Sequence, residues 1–378
     1  MTFNKLDIIQ PILKAIETAG YSKPTEIQEK SIPTILNGND IIGCAQTGTG
    51  KTAAFAIPII QLLHQQPKIS KGIRTLVLTP TRELAVQIND NFKLYKGTLR
   101  ISNIAIFGGV PQRGQVTALK RGVDILIATP GRLIDLIEQG HVHLNEVEIL
   151  VMDEADRMLD MGFINDIKKI LKYIPKNRQT LFFSATMPKK IKSFAQNILN
   201  NPQEIVVSPI SSTTESVTQS VYMVENKKKE ELLIEILRGQ NNNRSLVFTR
   251  TKHGADKLIK TLNNLGVKSA AIHGNKSQNA RQNALKDFKN NRITVLIATD
   301  IASRGIDIDN LSFVINYEMP DVPETYVHRI GRTGRGGNFG EAVSFCSQDE
   351  KSELRDIQKL IGFKIPINHN TSCAFHLS

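Results

Sequence analysis

Short apolar runs recur along the chain with helical stretches between them. In the first half they are DIIGCA (40–45), TLVLTP (75–80), IAIFGG (104–109), DILIATP (124–130), EILVMDE (148–154) and TLFFSAT (180–186). In the second half they are SLVFTR (245–250), SAAIHG (269–274), VLIATD (295–300), FVINYE (313–318) and AVSFC (342–346). Runs apolar on both faces suit the interior of a parallel sheet covered by helices. Most end in Thr, Ser, Asp or Gly, at the strand edge where open α/β sheets bind ligands. The pattern predicts an α/β chain of two similar tandem domains, each a mostly parallel sheet flanked by helices. The first spans 1–207. The polar, proline-opened stretch SPISSTTES (208–216) begins a linker over 208–219. The second domain spans 220–367, and 368–378, with neither period nor pattern, is expected to be disordered.

Length agrees with two domains, since 378 residues exceed one ordinary core. No apolar run reaches the length of a membrane span, and the N-terminus lacks a signal-peptide pattern. Cys44, Cys346 and Cys373 are too far apart for a disulfide framework or metal-ligand spacing. A cytoplasmic setting with no membrane partner is expected. The net charge of +12 is shared between the halves, +7 over 1–207 and +5 over 208–378. Such a balance fits a polyanionic partner, or a lysine-rich proteome.

Two stretches carry chemistry on their own. AQTGTGKT (45–52) lies between a strand and the helical pattern AAFAIPIIQLL. Its strand–loop–helix context and G-K-T end are those of a phosphate loop. Residues Ala45, Gln46, Thr47, Gly48, Thr49 and Gly50 would wrap phosphates with backbone N–H groups. Lys51 would reach the β/γ-phosphates, and Thr52 would coordinate Mg²⁺. EILVMDEAD (148–156) drives a core strand into Asp153, Glu154 and Asp156. Three carboxylates within four positions repel one another unless a cation or cationic side chain sits among them. Asp153 can hold magnesium through water, and Glu154 can orient and deprotonate an attacking water. Asp156 could serve the nucleotide site, or be an acid favoured at a helix N-terminus. The expected cofactors at this point are a nucleoside triphosphate and Mg²⁺, and the resemblance given next implies ATP.

With these motifs and those that follow, the chain resembles the DEAD-box RNA helicases, and among them the bacterial RhlE group, from Phe3 to about Pro366. The resemblance implies two RecA-like domains. GYSKPTEIQ (20–28) with Phe3 is similar to the family's adenine-recognition motif, whose members here are Phe3, Tyr21 and Gln28. A Gln amide donates and accepts at once, so Gln28 can pair with adenine N6 and N7. Phe3 would stack on the base. Without the family, the stretch reads as a helix cap with a buried Tyr21. PTRELA (80–85), the Gly108–Gly109 pair and TPGR (129–132) resemble RNA-backbone elements. Pro80, Thr81, Arg82, Gly108, Gly109, Thr129, Pro130, Gly131 and Arg132 are thereby implied as RNA contacts, in keeping with their chemistry. SAT (184–186) resembles the element linking hydrolysis to RNA work, through Ser184 and Thr186. A strand-end hydroxyl cap is the plainer reading.

The second half has no phosphate loop. HRIGRTGR (328–335) resembles the arginine-finger motif, with His328, Arg332 and Arg335 at the catalytic centre. TDIASRGIDID (299–309) resembles the segment that touches both ligands. It implies Thr299, Asp300 and Arg304 for RNA, and Gly305 and Asp307 for the nucleotide. Arg250, Thr251, His273, Gly274, Gln278 and Arg281 complete the implied RNA side. Met152, Met158 and Met161 read as core, the lysine run 227–229 as a solvated turn, and Cys44 as a small buried residue. His141 and His143 lack partners at metal spacing.

The sequence thus points to an RNA-dependent ATPase, expected to act as a monomer with little sequence preference. Its two domains would close on ATP and single-stranded RNA. Ribosomal precursors or RNA-decay machinery are candidate partners and cold adaptation is also open, with the resemblance to the RhlE group tilting toward ribosome assembly. The rival readings are an RNA clamp with negligible turnover and a DNA translocase. Residues 368–378 do not resemble the basic tail of the RhlE group.

Overall fold

A computed structural model describes residues 2–45, 48–67, 72–207, 217–239, 244–300, 311–334 and 340–369. The chain divides into two compact units, Met1–Ser208 and Pro209–Ser378.

The sheet of the first unit has strands β1 (Ile41–Cys44), β2 (Thr75–Leu78), β3 (Asn103–Ile106), β4 (Ile125–Ala128), β5 (Ile149–Met152), β6 (Gln179–Ser184) and β7 (Gln203–Val206). Their spatial order is β3-β4-β2-β5-β6-β1-β7, with every pairing parallel. Helices are α1 (Gln10–Thr18), α2 (Glu26–Leu36), α3 (Lys51–Gln65), α4 (Arg82–Lys96), α5 (Gln112–Lys120), α6 (Pro130–Glu138), α7 (Ala155–Asp160), α8 (Ile164–Ile170) and α9 (Lys189–Gln196). The alternation of side chains splits each strand between two cores. Ile149 and Val151 join the cluster that contains Phe55 and Phe92. Leu150 and Met152 join the one that contains Leu133 and Ile167. Helices therefore cover both faces, which is why the central strands are apolar throughout.

The second unit repeats the scheme with β8 (Val217–Met223), β9 (Ser245–Thr249), β10 (Ser269–Ile272), β11 (Val295–Thr299), β12 (Phe313–Asn316) and β13 (Gly340–Cys346), ordered β10-β11-β9-β12-β13-β8. All of these pairings are parallel too.

Two expectations need correction. Residues 217–219, assigned to the linker, open β8 and pair with Gly340–Ala342 of β13. Lys229 is not solvated. It is buried, and its Nζ donates to Glu350 Oε2 at 2.5 Å. Residues 208–216 and 370–378, where the rest of the linker and most of the tail were placed, lie outside the described residues. Asn368, the first residue of that tail, donates its N–H to Val221 of β8 at 2.9 Å.

Candidate active site

Parallel strands put all their C-terminal ends on one edge, and their order decides which motifs meet. β5, β6 and β1 are neighbours. Their ends carry the acidic segment, the Ser184–Thr186 segment and the phosphate loop. β3, β4 and β2 are neighbours on the other side. Their ends carry Gly108–Gly109, Thr129–Arg132 and Pro80–Arg82. One edge thus presents two separate groups of chemistry, one for each kind of ligand read from the sequence.

In the first group, Lys51 opens α3 and is buried, and its Nζ donates to the Ala45 carbonyl at 2.5 Å. Burial pulls its pKa down, against the opposing pull of Asp153, Glu154 and Asp156. Gly48 (φ 87°) and Gly50 (φ 92°) hold left-handed backbone that a side chain would strain. Thr52 follows Lys51, half-buried in the first turn of α3. Gln46 and Thr47 lie outside the described residues. Gln28 is buried at the start of α2. Its Oε1 accepts from Thr25 N at 3.0 Å as half of a capping box, and its Nε2 donates to the Gly50 carbonyl at 3.1 Å. A single amide thus joins the helix cap to the phosphate loop. Phe3 is buried in the core of this unit. Tyr21, read as buried, is 41% exposed, and its ring lies edge-on to Tyr95 with a hydroxyl–hydroxyl distance of 3.3 Å.

Asp153, Glu154 and Asp156 are all buried. Burial, and then the Glu154 charge, push the Asp153 carboxyl up to about 7, although Lys51 and the Glu154 N–H oppose the shift. Two cations answer the three acids. One is Lys51. The other is Arg157, which the sequence reading passed over. Its Nη1 donates to Glu154 Oε2 at 2.7 Å, with both side chains about 5% exposed or less. Among the described residues three buried acids thus face two cations, which leaves a place for a further cation. Such a donor set fits magnesium, which takes one or two carboxylates and completes its shell with phosphate oxygens and water. Glu154 itself sits in left-handed backbone (φ 53°, ψ 49°) at the cap of α7. For a non-glycine residue this conformation costs on the order of 1–3 kcal/mol. Asp156 has a definite task. Its Oδ2 accepts from Thr186 N at 2.8 Å and from Thr186 Oγ1 at 2.9 Å, and its N–H donates to Ser184 Oγ at 3.3 Å. The Ser184 hydroxyl donates to the Thr186 carbonyl at 2.7 Å. The end of β6 is thereby clamped to the acidic turn. Cys44 is half-buried, and burial raises its thiol pKa.

In the second group, Thr81 caps α4 by accepting from Leu84 N at 3.3 Å, and Pro80 before it is buried. The Arg82 guanidinium lies over Gly109 (φ 75°), where any added Cβ would run into it, and Gly108 is beside it. Thr129 and Pro130 start α6, with Gly131 exposed. Arg132 donates to the Val110 carbonyl at 3.3 Å and pairs with Asp135 at 3.3 Å.

The second unit gathers its motifs in the same manner. The ends of β10, β11 and β9 are neighbours. They carry His273–Gly274, Thr299–Asp300 and Arg250–Thr251. Thr251 caps the helix Lys252–Asn264 by accepting from Gly254 N at 3.0 Å. His273 is buried with Nε2 3.0 Å from Asp256 Oδ1, and Gly274 is exposed. Gln278 and Arg281 lie in the first turn of the helix Gln278–Lys289. Arg250 faces carboxylates, with Nε 3.2 Å from Asp321 and Nη2 3.4 Å from Glu353. In the arginine-rich segment, Arg329 is buried among protein partners. It grips Asp300 through Nε (2.6 Å) and Nη2 (2.8 Å), and Nη1 donates to Asn316 Oδ1 (3.1 Å) and the Glu318 carbonyl (2.7 Å). His328 is half-buried, and Arg332 is buried just past the helix Pro323–Ile330. Arg304, Gly305, Asp307 and Arg335 lie outside the described residues.

Residues 25–194 match the family model of the DEAD/DEAH box helicases, and 228–337 match that of the helicase conserved C-terminal domain. A Helicobacter pylori protein, DEAD-box ATP-dependent RNA helicase RhpA, is 45% identical over 376 residues, spanning 98% of this chain and 75% of its own length. The chain belongs to the DEAD-box ATP-dependent RNA helicases. Two solved relatives of this helicase share its fold. Mss116p, with its NTE and C-tail deleted and bound to ssRNA and AMP-PNP, superposes with a TM-score of 0.89 at 30% identity, over 98% of this chain and 80% of that one. Dbp5 of S. cerevisiae bound to RNA and ADP BeF3 gives 0.85 at 30% identity, over 97% and 95%. Both units of the helicase are thus RecA-like. The narrower likeness to the RhlE group remains an expectation.

Arg157 could have been found in the sequence. It stands three residues after Glu154 on a helix, where opposite charges meet.

Proposed function

We propose that this DEAD-box helicase hydrolyses ATP when RNA is bound, and uses the cycle to open short RNA duplexes locally or to remodel RNA–protein complexes. The observation that carries the reading is the buried trio Asp153, Glu154 and Asp156 beside Lys51, with Asp156 clamped to Thr186. Gln28 selects the adenine, after its amide exchanges the Gly50 contact for the base. Lys51 takes the β/γ-phosphates. Thr52 and Asp153 would hold Mg²⁺, which would supply charge to neutralise the phosphates. Glu154 accepts a proton from the attacking water as its oxygen bonds to the γ-phosphorus and the bond to ADP breaks. Arg332 and Arg335 supply positive charge to the transferring phosphoryl group. They belong to the second unit, so turnover needs both units, and RNA that engages both favours the competent state. RNA is gripped along its backbone by Arg82, Arg132 and the strand-end hydroxyls of the first unit, and by the corresponding edge of the second.

We further propose a monomeric, cytoplasmic protein acting on ribosomal precursors or with RNA-decay machinery. Among the described residues no helix is long and apolar enough to cross a membrane. Phosphate release tests the core of the reading. The parent should turn over only with RNA, chelation of magnesium should stop it, and Glu154→Gln should bind ATP and RNA without hydrolysis. RNA-independent release, or full turnover by Glu154→Gln, would contradict it.

A further inference from the structure

We propose that Arg157 is a positioning residue for hydrolysis, which holds the Glu154 carboxylate in the orientation that receives the proton of the attacking water. The inference rests on the reading of Glu154 as the base. The geometry is specific. Glu154 caps α7 in left-handed backbone, and Arg157 lies one turn along that helix, so the two side chains share a face. Arg157 Nη1 meets Glu154 Oε2 at 2.7 Å, and neither side chain is more than 5% exposed. The ion pair uses Oε2, which leaves Oε1 as the second oxygen of the carboxylate.

Without the guanidinium, Glu154 would be a buried anion between two others, Asp153 and Asp156, and repulsion would turn it away from them. The cation bonded to Glu154 is Arg157, whereas the Lys51 Nζ donates to the Ala45 carbonyl. The position of Arg157 is itself fixed, since its backbone N–H donates to Asp156 Oδ1 at 3.0 Å. Asp156 in turn accepts twice from Thr186. The orientation of the base is therefore tied, through Asp156, to the segment at the end of β6. A shift of that segment would reach Glu154 by way of Arg157.

The test compares Arg157→Met and Arg157→Lys with the parent and with Glu154→Gln, at a temperature where each is folded by circular dichroism. ATP and RNA dissociation constants are measured beside phosphate release at saturating ATP and RNA. For Arg157→Met, turnover should fall by about 10²-fold while both dissociation constants stay at the parent values, as expected for a misaligned reacting group. Arg157→Lys keeps a cation within reach and should retain more turnover than Arg157→Met. If Arg157→Met does not fold, Arg157→Lys against the parent carries the comparison, with a loss of turnover at unchanged affinities expected. A residue that only supports the fold would lose activity in step with its folded fraction or with its nucleotide affinity. Parental turnover in a folded Arg157 variant, or Arg157→Lys no better than Arg157→Met, would overturn the proposal. Parental turnover in Glu154→Gln would instead remove the base assignment on which it stands.

Discussion

Arg329 should fail by stability where its neighbours Arg332 and Arg335 fail by rate. Its guanidinium makes four hydrogen bonds to Asp300, Asn316 and the Glu318 carbonyl, and lies over the Phe248 ring at 5.1 Å. Arg329→Met would leave Asn316 Oδ1 and the Glu318 carbonyl without this donor, and Asp300 (side chain 25% exposed) without its cation. Stripping one partner from a buried ion pair costs about 3–5 kcal/mol. The four bonds are one coupled group, so their separate worths do not add beyond that range. For a unit of this size, about 2–4 °C of melting temperature accompanies each kcal/mol, so the second unit should melt about 6–20 °C lower. Arg329→Lys keeps the charge without the paired donors and should fall between. The assay is urea and thermal unfolding followed by circular dichroism, with ATP-analogue binding as a report on the first unit, which should be unchanged. A loss under about 1 kcal/mol would refute the claim that this arginine is a tie within the fold.

Three further outcomes follow from the site. Gln28→Ala should lose the preference for ATP over GTP in phosphate-release assays, and it should also lower the melting temperature, because the same amide completes the α2 cap and reaches Gly50. Gly109→Ala should weaken RNA binding in a fluorescence-anisotropy titration without changing ATP affinity, because the new Cβ displaces the Arg82 guanidinium and strains a backbone at φ 75°. Thr186→Val removes the hydroxyl bond to Asp156 but spares the one from its N–H. ATPase should persist while strand release per ATP falls.

Much of this was legible in the sequence because parallel sheets write their burial plainly. The strands buried on both faces, such as Ile125–Ala128 and Ile149–Met152, appear as unbroken apolar runs. The two strands that escaped are edge strands. Gln203–Val206 buries only Ile205, and Val217–Met223 carries the consecutive polar residues Thr218, Gln219 and Ser220 near its start, so its first three residues read as linker. The phosphate loop and acidic turn were legible because glycine and carboxylate chemistry is local. Pairings across the fold were not. Nothing near Lys229 in the sequence announces Glu350, which lies 121 residues away, and Asp300 stands 29 residues before Arg329. The lysine run and the arginine series each contain a member, Lys229 and Arg329, whose buried ion pair helps to hold the second unit together. Gln28 was read for adenine, with a helix cap as the plainer reading of its stretch, and its tie to Gly50 required three dimensions.

The central claim is that ATP and RNA act through one coupled state. It is tested most directly by measuring both halves of the coupling. RNA affinity is titrated with and without a non-hydrolysable ATP analogue, and analogue affinity with and without RNA. Linkage requires the two enhancement factors to be equal. The account predicts equal factors well above one, which vanish when the RNA is replaced by DNA of the same sequence. An RNA affinity indifferent to the analogue would contradict it.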